Sequence, residues 1–242
     1  MTSVPAYCFA GLITLQTFNF GNDSNISTLG ESLFRDCTSL TTLNFGTNSK
    51  ITIIPEFCFS NCTSLSSITI PSTVATMNGI IFDNCTSLQN ITFADNSALT
   101  ICPDFSSCVA LTTLNFGTNS SLTTINAGMF SGCINLVSIV IPKKVTTLGA
   151  SVFAGTSITS ITFESNSQLV SVTTCFGGLD ELASVDFGDN SNLTRIGEQA
   201  FSGLSSLTTV DFGENSILEE INNNAFYNCS NLNLTIPSTV TM

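Results

Sequence analysis

The chain returns to its own opening phrases. CTSL at Cys37–Leu40 comes back at Cys62–Leu65, and a longer pattern comes back with it. Anchored on Leu40, the phrase L-x-x-L-x-F reads Leu40, Leu43, Phe45. It recurs as Leu65-Ile68-Ile70, Leu88-Ile91-Phe93, Leu111-Leu114-Phe116, Leu136-Ile139-Ile141, Ile158-Ile161-Phe163, Leu182-Val185-Phe187 and Leu207-Val210-Phe212. Leu15-Phe18-Phe20 opens the series, and Leu232-Leu234-Ile236, one residue short, closes it. Successive anchors lie 22 to 25 residues apart. Each phrase is followed by a second half of the type Ile51-x-x-Ile54-x4-Phe59-x-x-Cys62, so that 17 of the 19 phenylalanines occupy two positions of the repeat. One such repeat cannot bury its apolar side alone, whereas stacked copies can, which is the logic of a solenoid. Residues 1–242 therefore read as a single array of about ten 22–25-residue coils, incomplete at both ends. The chain enters at SVPAYCFAGL in the second half of a repeat and stops at LTIPSTVTM in the middle of another, the pattern of a fragment or of ends covered by a partner.

Alternation in TTLNF is that of a short half-buried strand, Leu and Phe inward, Thr and Asn outward. Strands leave through one of two corners. FGxNS corners carry Asn-Ser or Asp-Ser (Asp23-Ser24, Asn48-Ser49, Asn119-Ser120, Asn190-Ser191), whose side chains bond their own main chain in turns. IPxx corners carry Pro71, Pro142 or Pro237, where proline fixes φ. The spacing of three in Phe59-x-x-Cys62-x-x-Leu65 predicts 3₁₀ turns or a ragged helix opposite the strands, with local irregularity at the short units Ile101–Phe105 and Ala154–Ile158.

The phrase FxxCTSLTxIxIPxxVTxIG, nearly whole at Phe59–Met77 and Phe130–Gly149, resembles the BspA-type (Treponema pallidum-type) leucine-rich repeat, and the resemblance covers essentially the whole chain. It implies an α/β-type but mostly β, right-handed leucine-rich-repeat solenoid. A parallel β-sheet would line its concave face, with 3₁₀, short helical or irregular segments opposite. It also implies a binding surface on a bacterial or protist surface protein, hence a cell-surface or extracellular setting and an adhesin-like or surface-antigen role toward host or matrix proteins. An intracellular protein-interaction scaffold in the cytoplasm is the alternative, since the first twenty residues lack the basic segment of a secretory signal.

Outward strand positions form the candidate ligand face: Thr41, Thr42 and Asn44; Thr112, Thr113 and Asn115; Val137 and Val140; Asp186; Thr208, Thr209 and Asp211. Threonine favours strands for its own sake, but a broad uncharged array of hydroxyls and amides also suits a protein or glycan held by many modest contacts. Val137 and Val140 add an apolar centre. Asp186 and Asp211 occupy one column of adjacent coils, and with Asp189 and Glu214 they stack four oxygen donors beside a corner. A calcium ion there, or a carbohydrate-processing carboxylate pair, is a question the residues leave open.

Composition narrows the rest. Five Lys and Arg against 17 Asp and Glu give a net charge of −12, and ten of those acids with only Arg195 fall in residues 164–242. Nucleic acid needs clustered cations, so it is excluded as a partner, and no window is apolar enough to span a membrane. The sequence has no histidine, which removes Ser-His and Cys-His catalysis and the usual proton carrier near neutral pH. No enzyme and no cofactor are expected. Six of ten cysteines share one column (Cys37, Cys62, Cys85, Cys108, Cys133, Cys229), about 5 Å apart if coils stack at strand spacing. Leu179 and Leu204 in the same column favour buried free thiols that pack as small hydrophobes, with bridging between coils the alternative. The triplet Asn-x-Ser/Thr recurs, as at Asn61, Asn84 and Asn228, where the neighbouring buried column leaves little room for a glycan.

Overall fold

The computed structural model describes residues 2–241, which divide into two compact units. One runs to Leu122 and takes in Gly132–Asn135; the other holds Thr123–Ser131 and the chain from Leu136 onward. Each is a β-solenoid stack in which short strands pair in parallel with counterparts in neighbouring coils, in several separate groups.

In the first unit Thr17–Asn19 pairs with Thr42–Asn44, and Ser67–Ile70, Asn90–Phe93 and Thr113–Asn115 form a second group in that order. The register joins equivalent residues, as in Phe18↔Leu43 and Ile91↔Leu114. In the second unit Ser138–Ile141, Ser160–Phe163, Ser184–Asp186 and Thr209–Asp211 make a four-stranded sheet. Strand side chains alternate as expected, exposed-buried-exposed-buried along Ser67–Ile70 and Ser138–Ile141.

The rest of each coil holds one feature that the sequence reading lacked. It carries a ladder of its own, made of two-residue strands: Ser3–Val4, Thr28–Leu29, Ile53–Ile54 and Thr76–Met77 in the first unit, and Ser171–Val172, Arg195–Ile196 and Glu220–Ile221 in the second. Of the alternatives that the spacing of three left open, short turns are what it forms. No α-helix occurs among the described residues, and the one 3₁₀ helix is Thr174–Phe176. The i→i+3 bonds that the spacing of three implied are present, Cys37 N–H to Phe34 C=O at 3.1 Å and Cys62 N–H to Phe59 C=O at 3.0 Å. In the turns that close on Cys37, Cys62, Cys85 and Cys229 the third residue is left-handed, however: Asp36 (φ 62°), Asn61 (60°), Asn84 (55°), Asn228 (60°). A positive φ at the third position is the mark of a type II turn, and a left-handed residue there stops helix propagation. Asn and Asp tolerate it best among residues with side chains.

The FGxNS corner is resolved residue by residue. Asn48 is left-handed (φ 53°), and the buried hydroxyl of Ser49 accepts the N–H of Ile51 at 3.4 Å. Ser97, Ser120, Ser167 and Ser191 repeat that bond. At Gly46 glycine is required: it has φ +75°, and a Cβ there would run into the carbonyl of Gly21 in the preceding coil.

Two phenylalanine columns fill the core. In the first unit Phe9, Phe34, Phe59, Phe82 and Phe105 stack in sequence with ring centroids 5.5, 5.9, 5.7 and 5.9 Å apart. In the second, Phe163, Phe187 and Phe212 stack at 5.1 and 5.9 Å, and Phe176, Phe201 and Phe226 at 4.8 and 5.0 Å. Such pairs add about 0.5–1.5 kcal/mol each beyond area burial.

All ten cysteines are free. The shared column does more than pack, because five of its six thiols donate to the carbonyl of a phenylalanine in the preceding coil: Cys37 to Phe9 (3.1 Å), Cys62 to Phe34 (3.2 Å), Cys85 to Phe59 (3.1 Å), Cys133 to Phe105 (3.2 Å), Cys229 to Phe201 (3.0 Å). Burial pushes the thiols of this column up, Cys133 to about 12, and it does the same to Cys175, outside the column. Cys8 is an exception to the expectation of packing, for it is exposed.

Two outcomes are expected. Phe59→Ala or Phe130→Ala should cost about 3–5 kcal/mol, as large core truncations do, while Thr113→Ser leaves the denaturation midpoint in place; equal midpoints for both classes would contradict the inward and outward columns. A thiol reagent at mildly alkaline pH should label Cys8 well before Cys62, Cys85, Cys133 or Cys175, which become reactive on unfolding; peptide mapping after brief labelling decides it.

Candidate functional site

The candidate face is built on strands, so its side chains are spaced by the ladder rather than by loops. In the first unit Thr42 registers with Thr17 and Asn44 with Asn19, while Thr113 registers with Asn90 and Asn115 with Thr92. Thr41, Thr42, Asn44, Thr112, Thr113 and Asn115 are all exposed. In the second unit one row runs Val140↔Thr162↔Asp186↔Asp211 and another Ser138↔Ser160↔Ser184↔Thr209. Thr208, Thr209 and Asp211 are exposed, Asp186 is half-buried, and Val137 and Val140 are 51% and 53% exposed.

Within this face the structure separates groups that the coil uses from groups it leaves outward. The first threonine of each row is tied to the coil before it. Thr41 Oγ1 donates to the Gln16 carbonyl at 3.0 Å, Thr112 Oγ1 to Gln89 at 3.2 Å and Thr208 Oγ1 to Ala183 at 2.9 Å. Thr42, Thr113 and Thr209 carry no such bond among the described residues. The asparagines are half-committed. Oδ1 of Asn44 accepts the N–H of Gly46 at 2.8 Å, and Oδ1 of Asn115 that of Gly117 at 2.9 Å. Each therefore keeps its amide NH₂ as a donor.

Asp186 and Asp211 do the same work: their Oδ1 atoms accept Gly188 N–H at 2.8 Å and Gly213 N–H at 2.9 Å. Asp189 Oδ1 accepts the N–H of Glu214 at 2.7 Å. Three of the four stacked carboxylates thus serve the main chain at their corners, the role asparagine fills in the first unit. The signal was legible as Asn/Asp-Phe-Gly, which reads as a side chain accepting the N–H two residues on. Among the described residues no group of three or more His, Cys, Asp or Glu could hold a metal ion.

What the face can do chemically follows. The first unit offers rows of hydroxyls and amide donors without a charge. The second offers two valines and a pair of carboxylates whose remaining oxygens face outward. Nothing here pairs a nucleophile with a base. No helix among the described residues is long and apolar enough to cross a membrane.

Replacing both acids, Asp186→Asn with Asp211→Asn, should leave the melting temperature nearly unchanged, because Asn accepts the same glycine N–H; Asp186→Ala with Asp211→Ala should lower it by removing two turn acceptors. Thermal melts of the two double variants, side by side, check this, and an equal loss in both would mean that the charge matters more than the turn.

The BspA type leucine rich repeat pattern matches this chain in six copies, over residues 1–102, 52–178 and 171–242. No curated protein matches it. Among solved structures it is similar to a leucine-rich repeat protein from Eubacterium ventriosum, at 19% identity and a TM-score of 0.51 over 99% of this chain and 77% of that one. It is also similar to the T. pallidum leucine-rich repeat protein, at 23% identity and a TM-score of 0.47 over 65% of this chain and 72% of that one. At such identity the first likeness speaks for the fold alone, and it agrees with the parallel ladders described above. The sixfold match spans the sequence from end to end, and the chain belongs to the BspA type leucine-rich repeat family.

Proposed function

We propose that this protein is a non-enzymatic recognition module that holds a protein ligand on the strand face of a right-handed solenoid, the sheet lying on its concave side. One observation carries the reading: strand-borne Thr42, Asn44, Thr113 and Asn115 present hydroxyls and amide donors that the fold itself does not consume. Such groups cost little to desolvate compared with charges, and their regular spacing supports many modest hydrogen bonds in place of one deep pocket. In the second unit Val137 and Val140 supply exposed apolar area on its own strand face, of a kind that protein contacts use. The family resemblance supports a cell-surface setting, with a host or matrix protein as ligand. A glycan would use the same hydroxyls and amides but leave the valines idle.

The test is substitution by face. With a ligand captured from host or matrix protein fractions, Thr113→Arg and Val140→Arg should each weaken binding at least tenfold, about 1.4 kcal/mol, while Asn223→Arg, exposed elsewhere on the second unit, should not. Equal loss in all three, or none in the first two, would remove the strand face from the account. Surface labelling of intact cells tests the setting independently.

A further inference from the structure

We infer that Asn78-Gly79 is a self-modifying site, where the folded protein converts its own asparagine to isoaspartate without enzyme or cofactor. Asn78 is the one asparagine in the sequence followed by glycine. It follows directly on the strand Thr76–Met77, and both Asn78 and Gly79 are exposed. The Asn78 N–H is bonded to the Ile54 carbonyl at 3.2 Å, which fixes the residue's entry. Among the described residues nothing holds its side-chain amide or the N–H of Gly79, and glycine has no side chain to shield that nitrogen.

The Asn-Ser corners make the contrast. Asn48, Asn119 and Asn215 donate their side-chain amides to Asp23, Asn96 and Asn190 of the preceding coil, at 2.8, 3.4 and 3.0 Å. Ser49 and Ser120, which follow the first two, are buried. There the amide is held away from the main chain, and the nitrogen that would attack lies under a packed corner.

At Asn78 the reaction is intramolecular and needs only water. The Gly79 nitrogen gives up its proton and attacks Cγ of Asn78. A bond from N to Cγ closes a five-membered succinimide, the Cγ–Nδ2 bond breaks, and Nδ2 leaves as ammonia carrying a proton. Water then opens the ring at either carbonyl, giving aspartate or, where the former backbone carbonyl is released, isoaspartate. No electrons are exchanged, and proximity supplies the rate. The outcome matters locally. The Glu56 side chain lies against Gly79, so the new carboxylate arises beside a like charge. The isoaspartyl product also adds a methylene to the main chain just before Ile80 and Ile81, whose carbonyls accept the N–H groups of Phe57 and Phe59 at 3.0 and 3.1 Å.

The experiment is incubation of the folded full chain in mildly alkaline buffer, then chymotryptic mapping by mass spectrometry with isoaspartate detection. The peptide holding residue 78 should acquire the mass of the acid and test positive for isoaspartate, while peptides holding the Asn-Ser corners keep theirs. Asn78→Gln, which cannot close the five-membered ring, should abolish the change without altering the melting temperature. Conversion at the Asn-Ser corners as fast as at Asn78 would overturn the proposal. So would an unchanged Asn78 in the folded chain alongside conversion in urea.

Discussion

Everything in this molecule depends on hydrogen bonds between equivalent main-chain groups of successive coils. Phe20 N–H to Asn44 C=O, Phe34 N–H to Cys58 C=O and Asn61 N–H to Asp83 C=O are instances on different sides of the first unit. Such bonds require every coil to trace the same path, so each corner must turn at the same residue. The left-handed positions achieve this. Asp36, Asn61 and Asn84 stand at one corner of three successive coils, and their side chains bond to each other as well, Asn61 Nδ2 to Asp36 Oδ1 at 2.6 Å and Asn84 Nδ2 to Asn61 Oδ1 at 2.9 Å. Once the path is fixed, phenylalanine, cysteine and leucine columns line up inside as a consequence, and buried hydroxyls such as those of Ser49 and Ser120 accept an N–H two residues on in their own corner. Among the described residues Ser32 is the exception: left-handed and buried, with a hydroxyl that has no partner.

Much of this was legible in the residues. The period gave the stacking, the alternation in TTLNF gave the inward and outward faces, and the Leu-for-Cys exchange pointed to free thiols. What stayed hidden was local backbone geometry. A spacing of three fits a 3₁₀ helix and a chain of type II turns equally well, and only the sign of φ at Asn61 or Asp36 separates them. The second ladder was obscured because its strands are two residues long, too short for alternation to register. The cysteine thiol's bond to a phenylalanine carbonyl has no signature in composition. At the candidate face, exposure followed from parity, but the division between consumed and free groups did not: Thr41 and Thr42 look alike in sequence, and only the first is bonded to Gln16.

That division shapes the functional reading. The acidic residues that drew attention to catalysis or calcium, Asp186 and Asp211, sit where asparagine sits in other coils and close the same turn. Their charge is an addition to a structural role. The groups left for recognition are sparse, regular and mostly neutral, which suits broad contact with a folded partner. Rigidity adds to this, since side chains mounted on laddered strands lose little freedom when a ligand arrives.

Residue-resolved amide hydrogen exchange tests the central claim most directly. If successive windings hold one another, protection should recur with the repeat, strong at Phe34, Phe59, Asp36 and Asn61, whose N–H groups reach the next coil, and weak at Gly79. Protection in contiguous blocks that ignore the 22–25-residue period would contradict it.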